Sequence, residues 1–408
     1  MHVLILTGVY PPEVRSASHV MFELAETLHR FGHKITVLTA LQPEYTPKTN
    51  RMIDRFYDKT CENGIDVIRF STLPVHRVNA PAVIRGMGQI LNAIAFFSIS
   101  LFLKRVDASI SYSPPLTLGF TGYLLYLTKK IPHIFNLQDL VPQYAIDLGI
   151  LTNKKLIKLI KMIEHFIYKR VQYITVHSQG NKDYVVNEGF DPDKVKVVPN
   201  WVDTSQIVPT AKDNSFRRDN NLEGKFVVTF AGVLGFAQDL DTVVDAGLYL
   251  KEYQDIVLLI VGEGVEKERL IDKTNNQGIK NIVFHRFVSK EEYPKVVAAS
   301  DICLATLQKD LKCPVIPSKI LGYMSGGRPV ITSLSLEGDA PLVIKNADCG
   351  ICVEPGKPDK LAAAIMEAYN DRNRTESWGG NGREYITKFH GREACIRLYD
   401  NLLKAVAN

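Results

Sequence analysis

Cysteine, long apolar runs and targeting signals are scarce in this sequence, and each scarcity excludes a class of protein. The 408 residues include six cysteines, scattered along the chain, which argues against a disulfide framework. Cys349 and Cys352 have a Cys-x-x-Cys spacing, but no second pair accompanies them, so neither a zinc site nor a redox centre is expected. No apolar run reaches the roughly 18 residues that a membrane-spanning helix needs.

The beginning of the chain has neither the basic region nor the cleavage site of a signal peptide, so the expected location is the cytoplasm. The first apolar run is followed by Gly-Val-Tyr-Pro-Pro-Glu at 8–13, which lacks the further glycines of a dinucleotide-binding turn. Hydride chemistry is therefore not expected. Nothing in the pattern singles out a metal site, and we expect neither a metal nor a cofactor.

Short apolar runs alternate with amphipathic segments along most of the chain. In the first half, strands are predicted at 2–9, 35–40, 66–70, 108–111, 133–137, 173–177 and 195–199. After a polar stretch the pattern restarts, with strands predicted at 226–231, 256–261, 282–285, 302–305, 329–332 and 350–353. This order predicts an α/β protein with two doubly wound, Rossmann-like domains that face a cleft. The expected domains are 1–200 and 201–385, followed by a C-terminal helix at 386–408 that packs back towards the N-terminal domain.

The net charge of +5 is unevenly distributed. Residues 1–200 carry 23 Lys and Arg against 16 Asp and Glu, whereas the remainder has a balance of −2. This predicts an anionic partner for the first half, either a membrane surface or a phosphate-bearing substrate; no nucleic acid is expected, because no such binding motif is present. The most apolar segment, 90–103, and the lysine-rich amphipathic segment, 153–170, could contact lipid, or could be a core helix and a solvated helix.

Residues 317–330, with the sequence Pro-Ser-Lys-Ile-Leu-Gly-Tyr-Met-Ser-Gly-Gly-Arg-Pro-Val, carry the strongest functional signal. Ser318 and Lys319 open a predicted short helix, so a hydroxyl, a cation and the N–H groups of a helix start are expected at one point. A lysine in the first turn opposes the helix dipole, and a bound diphosphate would account for it. The small residues Gly232 and Gly235 join another strand to a helix and predict a second phosphate contact.

Several segments, taken in order, resemble glycosyltransferase family 4. They are Tyr-Pro-Pro-Glu at 10–13, the run at 24–39, Val-Pro-Asn-Trp-Val-Asp at 198–203, Val-Gly-Glu-Gly at 261–264 and Pro-Ser-Lys at 317–319. The resemblance covers essentially the whole chain, and it implies the GT-B fold and a sugar transfer that retains the anomeric configuration.

Two further segments are similar to the subgroup that builds O-antigen, capsule and colanic acid, which includes N-acetyl-L-fucosaminyltransferases. They are Gln-Asp-Leu-Val-Pro-Gln at 138–143 and Ala-Gly-Val-Leu-Gly-Phe-Ala-Gln at 231–238. The subgroup implies a UDP-sugar donor, such as UDP-N-acetyl-L-fucosamine or a related N-acetylated sugar. It also implies an undecaprenyl-diphosphate-linked acceptor glycan in lipopolysaccharide or exopolysaccharide synthesis, and a peripheral position at the inner membrane.

The resemblance also implies roles for individual residues. The implied catalytic residues are Asp139, Glu13 and Lys319. The implied nucleotide-sugar-binding residues are Gly232, Gly235, Gln238, Glu263, Gly264, Ser318, Lys319 and Glu337. Arg15 is expected to contact the acceptor or a diphosphate. Asp139 can also be interpreted as a helix N-cap, and Glu13 as a turn residue.

The sequence departs from the family pattern at the phosphate and ribose contacts. The usual Glu-x7-Glu motif is missing, since Gly322 stands at its second glutamate, and Glu263 or Glu337 is the candidate replacement for ribose recognition. Val233 and Gln238 replace the usual arginine and lysine of the phosphate loop, so diphosphate binding is expected to depend mainly on Lys319.

Two other functions remain open from the sequence. One is a UDP-N-acetylhexosamine 2-epimerase of the same fold, which would change a sugar without needing an acceptor. The other is a non-catalytic scaffold partner, suggested by the missing Glu-x7-Glu motif, because a fold alone does not establish an activity.

Overall fold

The structure is a computed structural model that describes residues 1–13, 16–40, 57–70 and 82–407. The chain divides into two compact units. Unit 1 comprises Met1–Ala145, Leu151–Pro199 and Glu393–Asn408, and unit 2 comprises Ile146–Ile150 and Asn200–Arg392. Each unit has its own sheet.

Unit 1 is built on a sheet whose central strands are buried on both faces. Its strands are β1 His2–Thr7, β2 Lys34–Ala40, β3 Tyr57–Glu62, β4 Ile65–Phe70, β5 Ala108–Ser113, β6 His133–Leu137, β7 Tyr173–Val176 and β8 Val195–Val197. The strand order is β3-β4-β2-β1-β5-β6-β7-β8, and every neighbouring pair is parallel except β3 with β4. The order reverses at β1, where a doubly wound sheet presents its ligand crevice.

The hairpin of β3 and β4 is a feature that the hydrophobic pattern does not predict. The side chains of β3 alternate between exposed and half-buried, so the strand has no apolar face to detect. Its turn is formed by Asn63 and Gly64, with φ angles of +51° and +82°. An Asn-Gly pair is a strong signal for a two-residue hairpin turn, so the hairpin could have been predicted from this pair.

The helices of unit 1 cover both faces of its sheet. They are α1 Ser16–Arg30, α2 Ala82–Leu101, α3 Thr117–Lys129, α5 Lys154–Tyr168 and α6 Gln179–Asn187. A short helix, α4 Gln143–Asp147, begins in unit 1, and its last two residues belong to unit 2. Phe96 of α2 and Leu125 of α3 share a buried cluster with Leu4 and Leu6 of β1. Helix α5 belongs to the same layer, because a Cβ on Gly119 of α3 would lie 2.5 Å from its Ile167.

Unit 2 has a fully parallel sheet with the doubly wound strand order. Its strands are β9 Phe226–Ala231, β10 Ile256–Val261, β11 Ile282–His285, β12 Ile302–Thr306, β13 Val330–Ser333 and β14 Gly350–Val353. The order is β11-β10-β9-β12-β13-β14, so the direction of winding reverses at β9. The carboxyl ends of β9 and β12 therefore flank the predicted ligand crevice.

Most helices of the C-terminal half pack on this second sheet. They are α7 Ser215–Asp219, α8 Leu240–Tyr249, α9 Lys267–Asn276, α10 Tyr293–Ala299, α11 Ser318–Ser325, α12 Asp339–Ala347, α13 Pro358–Asn370 and α14 Arg372–Phe389. A final helix, α15 Arg392–Ala407, contributes Asp400 to unit 1, where its Oδ1 lies 2.8 Å from Nε2 of the buried His33.

Two Rossmann-like α/β domains with essentially parallel sheets are thus confirmed. Several predicted strands have the observed bounds, including 133–137, 226–231 and 256–261. The first strand ends at Thr7 rather than residue 9, because the Thr7 hydroxyl bonds to the carbonyl of Val9 and starts a turn. Among the described residues, no helix combines the length and the apolar character needed to cross a bilayer.

Candidate functional site

Loops from several strands meet at the carboxyl edge of the sheet in unit 2. The loop after β9 is held on one side by the turn after β10, since Leu234 N donates to Glu263 O at 2.9 Å. On the other side Gln308 N, after β12, donates to Ala237 O at 3.0 Å. The β9 loop is therefore fixed at the switch point of the sheet, where its backbone can face a ligand.

Two glycines allow this close approach. A Cβ on Gly262 would lie 1.9 Å from Gly232 O, and a Cβ on Gly264 would lie 2.2 Å from Leu234 O. Their φ angles of +154° and +159° are also rarely adopted by other residues. The Gly-Glu-Gly segment at 262–264 thus packs the turn after β10 against the β9 loop.

Lys319 lies in the first turn of α11 and reaches the β9 loop. Its Nζ is 2.5 Å from the side-chain oxygen of Gln238 and 3.6 Å from the centroid of the Phe230 ring. A Cβ on Gly232 would be 3.3 Å from the same Nζ, so the ammonium lies directly beside this glycine. The structure therefore brings Gly232, Gln238 and Lys319 together, although they come from distant parts of the sequence.

The environment of Lys319 is poor in negative charge. Within the described part of the chain it forms no ion pair with a carboxylate, and burial lowers the pKa of its ammonium to about 7. An amide oxygen and an aromatic face carry only partial negative charge, so they offset the desolvation of the cation incompletely. A bound anion would favour the protonated form and raise the pKa again.

Two side chains that sequence reasoning missed fix the elements of this site. The hydroxyl of the buried Tyr323 donates to Ala231 O at 3.1 Å and accepts from Ala231 N at 2.9 Å, which ties α11 to the end of β9. The hydroxyl of Thr306, at the end of β12, donates to the carbonyl of Gln238. Tyr323 follows Lys319 by four residues, one helical turn, and this spacing was the only sequence signal.

The remaining predicted donor-binding residues lie around this centre. Gly235 is in the β9 loop, and Ser318 is the exposed first residue of α11. Glu263 is exposed after β10 and pairs with Lys267 at 2.6 Å, whereas Glu337 is exposed between β13 and α12. Since β9 and β12 separate β10 from β13, the loops of these glutamates start about 14 Å apart.

In unit 1, Asp139 follows β6 at the carboxyl edge of the sheet. Its carboxyl group makes no hydrogen bond or ion pair with any described residue, and burial raises its pKa to about 6. The preceding carbonyl of Gln138 accepts from His177 Nε2 at 3.0 Å, which holds the loop in place. Helix α4 begins only at Gln143, so Asp139 does not immediately precede it, and the structure gives no support to the N-cap interpretation.

Glu13 lies on the loop that follows β1 and is only 2% exposed. The loop turns where Glu13 N donates to Tyr10 O at 3.2 Å, and its Pro11 carbonyl accepts from Arg69 Nη2 at 2.6 Å. The guanidinium of Arg69, from β4, also binds both carboxylate oxygens of Glu62 in β3. Sequence reasoning missed this pair because it missed the hairpin. Arg15 lies outside the described residues.

Among the described residues, no group of three or more His, Cys, Asp and Glu side chains is suitably placed to bind a metal ion. The expectation that no metal or cofactor is required stays a prediction.

Comparison with known proteins agrees with this architecture. Residues 17–201 match the family described as "Glycosyl transferase 4-like domain", and residues 212–385 match "Glycosyl transferases group 1". The chain is 24% identical to the putative colanic acid biosynthesis glycosyl transferase WcaI of Escherichia coli K12, over 98% of this chain and 99% of that protein. It is 25% identical to an E. coli UDP-Gal:alpha-D-GlcNAc-diphosphoundecaprenol alpha-1,3-galactosyltransferase, over 72% of this chain and 74% of the relative.

Among solved structures, HepE of Anabaena in complex with UDP and glucose superposes with a TM-score of 0.74 at 16% identity, covering 99% of this chain and 100% of HepE. At that identity the likeness concerns the fold. Taken with the two family matches and the relatives, it leads to one conclusion: the chain belongs to the glycosyltransferases of the GT-B fold and is a sugar-transferring enzyme.

Proposed function

We propose that this enzyme transfers a sugar from a UDP-sugar to a lipid-linked oligosaccharide, with retention of the anomeric configuration. The observation that carries the proposal is the position of Lys319, a desolvated cation at a helix start with no carboxylate partner in the described chain. A nucleoside diphosphate would supply the missing negative charge. The uncapped first turn of α11 and the backbone of the β9 loop would add N–H donors to the same phosphates.

Charge develops on the diphosphate as the glycosidic bond to the donor breaks. In the proposed mechanism Lys319 stabilises this charge. Hydrogen-bonding and charged groups that are already in position before the reaction stabilise such charge efficiently, because they need not reorganise. Retention follows if the acceptor hydroxyl attacks from the face that the diphosphate leaves, with a phosphate oxygen receiving its proton. Asp139, ionised above pH 6, would accept a hydrogen bond from a sugar hydroxyl and orient it.

A UDP-sugar is favoured as donor on chemical and comparative grounds. HepE binds UDP, and the galactosyltransferase relative is named for UDP-Gal. We propose an N-acetylated sugar, such as UDP-N-acetyl-L-fucosamine, because the segments at 138–143 and 231–238 resemble the subgroup that uses such donors.

The proposed acceptor is an undecaprenyl-diphosphate-linked glycan in the synthesis of O-antigen, capsule or exopolysaccharide. The name of the galactosyltransferase relative specifies a diphosphoundecaprenol acceptor, and WcaI is named for colanic acid. Such an acceptor is anchored in a membrane, so the enzyme would act as a peripheral protein at the cytoplasmic surface of the inner membrane.

The test incubates the purified protein with a short polyprenyl-diphosphate-linked N-acetylhexosamine and one donor at a time, taken from a panel of UDP-sugars, GDP-mannose and ADP-glucose. A parallel series of incubations omits the acceptor. Mass spectrometry of the lipid is expected to show the addition of one sugar from a UDP donor. Transfer only from GDP-mannose or ADP-glucose would contradict the UDP assignment. A sugar altered in the absence of acceptor would indicate an epimerase, and UDP binding without any transfer would indicate a scaffold.

Lys319→Ala tests the residue that carries the proposal. Turnover is expected to fall by about two to three orders of magnitude, the cost of removing one preorganised charge-stabilising group. Lys251→Ala changes an exposed lysine two residues beyond the end of α8 in the same unit; it is the matched control and should retain wild-type turnover. Near-wild-type turnover of a correctly folded Lys319→Ala protein would rule out the role given to Lys319.

A further inference from the structure

Helix α2 has apolar side chains on its solvent-facing side as well as on its buried side. Its inner side packs through Phe96 and Ala93. Its outer side presents a stripe at helical spacing, with exposed fractions of 57% for Met87, 54% for Ile90 and 57% for Ile94. The stripe continues beyond the end of the helix to Phe102, which is 85% exposed. A globular helix normally has a polar outer face, so this face indicates a second apolar environment.

The exposed apolar surface extends over the neighbouring helices. Helix α3 contacts α2 through Thr121, whose hydroxyl donates to Ala93 O at 3.0 Å. It contacts α5 through Tyr123 and Phe166, whose ring centroids are 5.4 Å apart. Because α2, α3 and α5 form one layer on the same side of the sheet, their outer sides point the same way. The exposed apolar residues of α3 and α5 include Phe120, Leu127, Leu156, Leu159, Met162 and Ile163.

Cations border this surface. On α5, Lys154, Lys155 and Lys158 are exposed between the apolar side chains, and Asn153 caps the helix by accepting from the N–H groups of residues 155 and 156. A groove of about 550 Å³ along α5 is lined, in the described chain, by Lys154, Ile157, Lys158, Lys161, Met162 and His165. Basic and apolar side chains lie together in it, and no acidic side chain of the described residues lines it.

We propose that the outer face of α2, α3 and α5, called here the helical face, binds a bilayer that contains anionic lipid. The apolar stripe would enter the boundary of the acyl chains, and the lysines of α5 would meet lipid phosphates in the groove. This arrangement is that of an interfacial helix layer, whose affinity combines buried apolar area with attraction to anionic headgroups. The +7 balance of residues 1–200 adds a long-range attraction of the same sign.

A bilayer suits this face better than a protein partner for two reasons. Apolar side chains are exposed along three neighbouring helices and lysines lie between them on α5, which matches a surface that is anionic outside and apolar beneath. Of the lysines in the groove, Lys161 pairs with Glu188 at 3.5 Å, whereas Lys154 and Lys158 form no ion pair with any described residue and can meet lipid phosphates. The inference rests on the proposed function only in that a lipid-linked acceptor supplies a reason for membrane contact.

The experiment measures binding of the full-length protein to vesicles by co-sedimentation. One vesicle is pure phosphatidylcholine, and the other contains phosphatidylcholine and phosphatidylglycerol in equal amounts. Ile90→Glu with Ile94→Glu removes part of the apolar stripe, and Lys154→Glu with Lys158→Glu reverses two charges in the groove. All four residues are exposed, so folding should be preserved, which thermal melting checks. Leu342→Glu, 55% exposed in unit 2, and Lys251→Glu are the matched controls.

The wild-type protein is expected to bind the anionic vesicles about tenfold or more tightly than the neutral ones. The apolar double variant should lose about tenfold in binding, and the charge double variant should lose the preference for phosphatidylglycerol. Controls should bind like the wild type. Absence of vesicle binding, equal binding to both vesicles, or unchanged binding of both double variants would overturn the proposal.

Activity on a water-soluble, short-chain acceptor separates this proposal from the proposed function. Both double variants should retain it, since the helical face contains none of the predicted site residues. If no donor supports transfer by the wild-type protein, the proposed function fails while the vesicle result stands on its own.

Discussion

The ammonium of Lys319 lies 2.5 Å from the side-chain oxygen of Gln238, and this amide is its only hydrogen-bond partner in the described chain. Gln238 is a neutral acceptor, so it holds the cation in place without neutralising it. Because burial has already lowered the pKa of this ammonium, the site should respond to pH in a way that a site with exposed cations would not.

The first prediction concerns the pH dependence of donor use. The diphosphate requires protonated Lys319, whose pKa in the free enzyme is about 7, so kcat/KM for the donor should fall as pH rises above about 7. Lys319→Arg keeps its charge at every accessible pH, so its profile should lose this alkaline decline even if its maximum is lower. Steady-state kinetics between pH 6 and pH 9 measure both.

Gln238→Leu provides the companion variant for this prediction. Without the amide acceptor the cation loses its hydrogen bond, so the alkaline decline should begin at a lower pH. An identical decline in the wild type, Lys319→Arg and Gln238→Leu would assign the titration to another group.

A second prediction concerns the acidic side of the same profile. Burial raises the pKa of Asp139 to about 6, and the ionised carboxylate accepts a hydrogen bond from an acceptor hydroxyl more strongly than the protonated acid does. We therefore expect kcat/KM for the acceptor to rise up to about pH 6, and Asp139→Asn to lower it roughly 100-fold and to remove the acidic limb. Asp183→Asn, on α6 of the same unit, is the control. An acidic limb that persists in Asp139→Asn would contradict the assignment.

The fold was largely predictable because each strand carries its own signal. Burial on both faces makes β9 and β10 continuous apolar runs, and both were located to the residue. The start of α11 at Ser318 was likewise readable from the proline before it. By contrast, β3 has no apolar periodicity and is stabilised by pairing with β4, so hydrophobic periodicity could not predict this strand.

The side-chain contacts of the site were not predictable, because they join residues far apart in the sequence. Gln238 and Lys319 are 81 positions apart, and Tyr323 and Ala231 are separated by 92. Their proximity depends on the strand order around β9, which no local pattern specifies. The sequence also left open whether α2 is core or lipid-facing, since an all-round apolar helix has the same composition in either case.

A third prediction concerns the close backbone approach at Gly264. Alanine there would place its Cβ 2.2 Å from Leu234 O, so the β9 loop must shift. We expect Gly264→Ala to destabilise unit 2 by about 1–3 kcal/mol and to raise the KM for the donor more than it lowers kcat. Gly380→Ala in α14 is the control, because its Cβ would meet no atom within 4 Å, and it should be neutral or slightly stabilising. Thermal melting and donor kinetics check both, and an unchanged donor KM in Gly264→Ala would contradict the role given to this turn.

The last prediction concerns Arg69, which we expect to act on the reaction through the loop that carries Glu13. Its Nη2 donates to Pro11 O at 2.6 Å, and the guanidinium is held by both oxygens of Glu62. In Arg69→Met these charged hydrogen bonds are lost, which should cost about 2 kcal/mol of stability. The β1 loop should loosen, so kcat/KM for the acceptor should fall about tenfold or more while donor KM changes little.

Arg69→Lys restores the charge but not the planar fork, so it should lie between Arg69→Met and the wild type in both properties. Lys59→Met, an exposed change on the same hairpin, should match the wild type. If Arg69 contributes only to stability, Arg69→Met should lower the melting temperature, yet its acceptor kinetics at low temperature should equal those of the wild type. The acceptor kinetics therefore decide whether the hairpin positions the β1 loop for catalysis or only secures the edge of the sheet.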